Sequence, residues 1–287
     1  MLPATLKLFC GISHQHLRTL TGLQWLAVGT LGTEMSRFIL SKTDSCLPSM
    51  PDSLQKLCLK LGINTNLNHE KIPALSSKDL FYLNQAEDTL QKAILMLQQE
   101  GWQATKDEKN GDRTANKKIP QIGNVFRTEA VIDSPPEHIY MQLFENLEHM
   151  DQWNPGISKV QILHRIGKNT LLTREVTAQL PITSISQRDF VSVRHCCQAG
   201  SALYLIGTAA CSQLMPPQQG VVRAEAALSC IVLRPLEGDS RKTHFTWLLS
   251  VDLKGSIPQF LTDKALPQSQ VDFISHLRRH LSSPEKS

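Results

Sequence analysis

What most constrains this chain is a run of eight strand-like segments between Val125 and Leu253, closed at each end by a helical stripe. The segments are 125–132, 159–163, 170–178, 190–195, 203–208, 220–228, 230–235 and 244–253. Turn signals separate them, among them Ile166-Gly167-Lys168-Asn169 and Glu237-Gly238-Asp239. Upstream, Ser76 or Ser77 caps a helix with Leu80, Leu83, Ala86, Leu90, Ala93 and Leu97 on one face. Gly101 stops it, and "TKDEKNGDR" follows as a polar turn. A short helix over Pro135 to Met150 carries Ile139, Leu143, Phe144 and Leu147 on its apolar side. The last helix runs from about Leu261 to Leu281, with Ala265, Leu266, Gln270, Phe273, Leu277 and Leu281 as its stripe. Helices at both ends of a run of strands indicate the α+β class, with an antiparallel sheet wrapped around the last helix.

Composition excludes several kinds of partner. The net charge of +4 is too mild for a nucleic-acid binder, and no Lys/Arg-rich cluster interleaved with aromatics occurs. No apolar run reaches the ~20 residues needed to span a bilayer. Of the 7 cysteines none forms a CxxC pair, which argues against a disulfide framework or a zinc site and for a reducing compartment.

The N-terminus differs from the rest. Acids are absent until Glu34, while Lys7, Arg18, Arg37 and Lys42 supply charge, and Leu6, Phe9, Leu17, Leu20, Leu23, Leu26, Val28 and Leu31 recur at helical spacing. That is the composition of a mitochondrial transit peptide, with a surface amphipathic helix that lacks acids as the alternative. Residues 41–75 are polar and proline-punctuated and read as a linker.

Catalytic motifs are missing. There is no histidine pair of the zinc-protease type, no phosphate-binding glycine loop and no GxSxG elbow. His276 and His280 are four apart on a helix without a third ligand nearby, so no metal is expected. Cys196 and Cys197 have no evident base and read as inert thiols; Glu145 and Glu148, beside His149, read as a solvated face. No cofactor is implied and the chain is not expected to be an enzyme.

Two charged residues stand out. In 170–178, Leu171, Thr173, Glu175 and Thr177 share a face; in "DFVSVRHCC", Phe190, Ser192 and Arg194 oppose Val191, Val193 and His195. If the two strands are neighbours, Glu175 and Arg194 can pair. Spacing alone leaves open whether that pair is exposed, and then worth under ~1 kcal/mol, or buried.

The phrases "WNPGISKVQILHRIGKNTLLTREV", "RDFVSVR", "GVVRAE", "TWLLSVDLKG" and "SQVDFISHLRRHL" occur in an order that resembles the START lipid-transfer family. The resemblance implies a helix-grip fold, in which a curved antiparallel sheet encloses a lipid cavity covered by a long C-terminal helix. It places a mitochondrial targeting leader and linker at 1–62 and the START domain at 63–287. It implies a non-enzymatic sterol carrier in the mitochondrion, moving cholesterol from outer to inner membrane for steroid hormone synthesis. A carrier or sensor of an oxysterol, bile acid or phospholipid is the alternative. The implied partners are cholesterol or a related sterol, the mitochondrial outer membrane surface and the import machinery, with no nucleic acid.

By the same resemblance, Glu175 and Arg194 face each other inside the cavity. Met150, Ile157, Leu205, Ser229, Phe273, Leu277 and Leu281 line it, ordinary core packing being the competing role for the apolar ones. Release at a membrane is expected to use the basic end of the last helix, Arg278, Arg279 and His280. Three departures mark a divergent member. Ala226-Ala227-Leu228 replaces a His-Gly-Pro, Gln198-Ala199-Gly200 replaces a basic pair before Ser201, and Ser256 replaces a tryptophan.

Overall fold

The structure, a computed structural model, describes residues 75–107, 111–179, 186–255 and 257–283. The chain divides into two units, Met1–Ser76 and Ser77–Ser287, and all the elements named here belong to the second. The leader, most of the linker, and Ser256 lie outside the described residues.

Nine strands form one sheet in the order β1-β2-β3-β9-β8-β7-β6-β5-β4. They are β1 (Gln103–Asp107), β2 (Arg113–Ile119), β3 (Gly123–Ile132), β4 (Ile157–Ile166), β5 (Thr170–Thr177), β6 (Arg188–Ala199), β7 (Ala202–Ala209), β8 (Val222–Leu236) and β9 (Asp239–Asp252). Sequential neighbours pair antiparallel, β3 pairs antiparallel with β9, and a short parallel contact joins β6 to β8. Helix α1 (Ser77–Leu97) packs on one face of the sheet and the C-terminal helix α3 (Gln259–Ser282) on the other.

The alternation expected from sequence produces these two faces. On the outer face Tyr82 and Ala86 of α1 meet Leu172, Val191 and Val193, and Leu90, Ala93 and Met96 meet Ile206, Cys230, Val232 and Leu248. On the inner face Leu171, Cys196, Leu205, Ile231, Leu233 and Phe245 meet Phe273, Ile274 and Leu277 of α3. Fully burying one such side chain is worth about 1.5–3 kcal/mol, so each face is held by many such terms. Polar clamps fix α3 in place as well. Gln270, wholly buried, accepts from Thr128 Oγ1 at 3.1 Å and donates to the Trp247 carbonyl at 3.3 Å.

Three elements differ from expectation. The polar turn after Gly101 is flanked by an edge hairpin, β1 and β2, whose mostly polar and charged sequence conceals the strand period. The two segments 220–228 and 230–235 are one strand, β8. Ala226 pairs with Val251 and Leu228 with Ser250, so Ala227 bulges out. That bulge keeps Ala226 and Ser229 both on the inner face although they are three residues apart. The helix expected over 135–150 is broken into α2 (Pro136–Tyr140), a π turn (Met141–Glu145) and a 3₁₀ segment (Leu147–Gln152).

Candidate functional site

Glu175 on β5 and Arg194 on β6 lie on the same, inner face, because Leu171 is opposite Arg194 and Phe190 is opposite Glu175. The two are therefore offset along the strands, and the long side chains close the gap. Arg194 Nε donates to Glu175 Oε1 at 2.9 Å, and Nη2 donates to the same oxygen. Among the described residues Glu175 Oε2 and Arg194 Nη1 make no hydrogen bond. Their side chains keep 14% and 22% of their exposure.

The other candidate residues gather on the same side. Met150, Leu205, Phe273 and Leu277 belong to the inner cluster, and Ile157 and Leu281 pack against it. Ser229 stands in register with Gly207, which stands in register with Arg194. Its hydroxyl accepts from Trp247 Nε1 at 3.1 Å, and the Trp247 ring lies 5.0 Å from that of Phe273. Ala226, where the resemblance leads one to expect a histidine, is buried and offers no polar atom. A separate cleft of about 850 Å³ opens where β2, β3 and β9 meet the start of α3, lined by Lys117, Lys118, Asn124, Asp252 and Thr262 among others. None of the nine candidates lines it.

Sequence reasoning missed a second ionic cluster. Asp189, fully buried on the outer face, accepts from Arg174 Nε at 2.8 Å, from Arg223 Nε at 2.8 Å and from Arg223 Nη2 at 3.0 Å. Burial alone would raise its pKa, but the hydrogen bonds from Arg223 and Arg174 outweigh that and hold it below the usual carboxylate range. Arg223 also donates to the carbonyls of Met215 and Pro216, so the cluster ties down the β7–β8 connection. The signal available in sequence was that all three residues fall inside the phrases quoted above.

Other buried groups are kept neutral. Burial lowers the His195 pKa to about 4; its Nδ1 faces Thr170 Oγ1 at 2.8 Å, while its buried Nε2 has no hydrogen-bond partner among the described residues. Burial pushes the Cys196 and Cys197 thiols up to about 12, which leaves them unreactive. Glu145 is half-buried and accepts from Tyr140 rather than facing water as expected. The basic end of α3 is also less free than expected. Arg278 grips Asp112 through two 2.7 Å bonds and donates to the Val131 carbonyl. His280 stacks on Trp153 with ring centroids 5.3 Å apart, which leaves Arg279 as the exposed cation of the three. Among the described residues no group of three or more His, Cys, Asp or Glu is placed to hold a metal.

A family model, that of the START domain, matches residues 83–287. The chain belongs to the START domain family. It is 40% identical over 284 residues to the mitochondrial steroidogenic acute regulatory protein of Gallus gallus, covering 98% of each chain. It is 39% identical over 284 residues to that of Homo sapiens, covering 99% of this chain and 97% of the relative. Among solved structures, human StAR-related lipid transfer protein 5 superposes with a TM-score of 0.65 at 20% identity, over 70% of this chain and 96% of that one. At that identity the likeness bears on the fold alone, which is the START fold: a curved antiparallel sheet and a long C-terminal helix.

Proposed function

We propose that this START protein is a non-enzymatic sterol carrier that promotes movement of cholesterol from the outer to the inner mitochondrial membrane, supplying steroid hormone synthesis. The observation that carries the reading is the end-to-end likeness to steroidogenic acute regulatory proteins, including those designated mitochondrial. The inner-face chemistry is consistent with it. A sterol is apolar except for one hydroxyl, and its site requires apolar walls with few placed polar groups. Glu175 and Arg194 supply an acceptor and a donor beside Met150, Leu205, Ser229, Phe273 and Leu277, with Ile157 and Leu281 at the margin. Binding and release complete the task, and no bond is made or broken. Residues 1–62 act as the mitochondrial leader and linker, read by the import machinery, and 63–287 as the carrier domain.

Release takes place at the outer membrane surface, through displacement of α3. With Arg278 and His280 engaged, the opposite end of the helix suits that contact better. Phe260 and Leu261 expose 69% and 43% of their surface there, beside Lys264. No described helix is long and apolar enough to cross a membrane.

The full chain, purified and mixed with cholesterol-loaded vesicles and isolated mitochondria, is expected to bind the sterol and speed its delivery. Folded protein that neither takes up cholesterol nor accelerates transfer would overturn the reading.

A further inference from the structure

We propose that Ser283, at the C-terminal end of α3, is a phosphorylation site for a proline-directed serine kinase, and that its phosphate unpins the last turn of the helix. The site and the unpinning stand apart from the sterol-carrier reading; only the consequence for lipid release rests on it.

A serine followed by proline occurs twice in the chain, at Ser134-Pro135 and at Ser283-Pro284. The fold separates the two. Ser134 is 4% exposed, its hydroxyl lies 3.1 Å from His138 Nδ1, and its carbonyl accepts from the buried Thr243. Ser283 is exposed. Charge separates them as well, since the third residue on is Glu137 in the first case and Lys286 in the second. A kinase pocket that offers the next residue apolar contact and no partner for an N–H selects proline, which has none. The lysine beyond it suits an acidic rim on that pocket, where Glu137 would be repelled. Proline also pushes the residue before it out of the helical region, and Ser283 has φ −76° and ψ 130°. Its hydroxyl therefore sits on extended backbone just outside the helix, and the acceptor itself needs no unwinding.

In the transfer, Ser283 Oγ bonds to the γ-phosphorus of ATP, the bond from that phosphorus to the β–γ bridging oxygen breaks, and ADP leaves. The hydroxyl proton passes to the base of the kinase.

That hydroxyl is part of the helix end. Ser283 Oγ donates to the Arg279 carbonyl at 2.9 Å, beside Ser282 Oγ at 3.0 Å, and the Ser283 N–H donates to the His280 carbonyl at 3.2 Å. These carbonyls belong to the last turn, whose oxygens have no partner further along the helix. Phosphorylation removes the proton of the first bond and sets about two negative charges against the negative end of the helix dipole. Arg279 is the near cation. It precedes the phosphate by four residues, the weaker order for an ion pair along a helix, and its exposed position leaves it screened by salt. The repulsion and the lost bond outweigh it. Two contacts with the inner face depend on this turn: Leu281 packs against the inner cluster, and His280 stacks on Trp153 and meets Gln142 Oε1 at 3.0 Å. With the turn open, the end of α3 lifts from them and a bound lipid leaves faster.

The test incubates the full chain with ATP and a purified cyclin-dependent kinase, a proline-directed enzyme, and follows phosphate by mass spectrometry and the last turn of α3 by hydrogen exchange. A phosphate on Ser283 is expected, lost in Ser283→Ala and also in Pro284→Ala, which keeps the hydroxyl. In the phosphorylated protein the amides of residues 280–283 are expected to exchange about fivefold faster, the scale of one lost hydrogen bond. Release of cholesterol to vesicles is expected to quicken with them. No phosphate on Ser283, a phosphate on Ser282 in its place, or a phosphate on Ser283 with unchanged exchange overturns the inference. Faster exchange with unchanged release upholds the site and the unpinning and overturns α3 displacement as the route of release.

Discussion

Strands β5 and β6 carry an ionic cluster on each face, and the two are built differently. On the outer face Asp189 spends both oxygens on Arg174 and Arg223. On the inner face Arg194 directs two donors to a single oxygen of Glu175. The first is a saturated hub, the kind of arrangement that holds a fold. The second leaves Arg194 Nη1 and Glu175 Oε2 without a hydrogen bond among the described residues, the kind of arrangement that can take a ligand. The carboxylates underline the contrast: Asp189 has no exposure and Glu175 keeps 14%. If the comparison is right, the outer cluster governs stability and the inner one governs binding.

The largest effect belongs to Asp189. Asp189→Asn leaves two guanidinium groups without a counter-charge, and breaking a buried pair costs about 3–5 kcal/mol. Denaturant unfolding should show that loss, with cholesterol affinity preserved in whatever fraction stays folded. A variant of normal stability would show that the hub is dispensable and would erase the distinction between the faces.

Acid should weaken the outer face next. His195 has a folded pKa of about 4 against 6.5 for a free imidazole, so between those values the unfolded chain binds a proton that the native chain refuses. Its contribution is intact above pH 6.5 and is lost as pH falls toward 4, by about 3 kcal/mol in total. Asp189, also depressed, loses its contribution in a lower window, as pH falls below about 3.9. Stability measured from pH 7 to 4 should slope in the wild type and flatten in His195→Gln. An unchanged slope in that variant assigns the effect to another group.

How much of this was legible in sequence follows from which forces are local. The faces of β5 and β6 were readable because alternation is a local property, and Val191, Val193 and His195 do share the α1 side. The four-residue offset of Glu175 and Arg194 was not readable, since register is set by the whole sheet. Asp189 went unnoticed because a lone aspartate at a strand start looks like a turn residue until strands from elsewhere bring Arg174 and Arg223 to it. β1 and β2 were missed because an edge hairpin with little to bury shows no hydrophobic period.

Arg194→Leu tests the inner face. The pair is partly exposed, so stability should fall by an amount between the about 1 kcal/mol of a surface pair and the about 3–5 kcal/mol of a fully buried one. Binding should suffer more, because Leu offers the sterol hydroxyl no donor. Calorimetry and cholesterol titration on the same preparation separate the two. Equal binding with unchanged stability would place Arg194 outside the site.

The smallest expected effect is the most discriminating. Glu175→Gln keeps the shape and one acceptor oxygen but removes the charge, leaving Arg194 bonded to a neutral amide. Because Arg194 retains 22% of its exposure, water can compensate the guanidinium, and the stability cost should stay near ~1 kcal/mol, the scale of one hydrogen bond. At Asp189 the carboxyl group itself has no exposure and two guanidinium groups lose their counter-charge at once, so the same chemical change there should cost several times more. The amide offers the sterol hydroxyl both an acceptor and a donor, so cholesterol affinity should fall only slightly. A Glu175→Gln protein as unstable as Asp189→Asn would mean that the inner pair is a structural hub too, and that the open atoms on Glu175 and Arg194 are not held for a ligand.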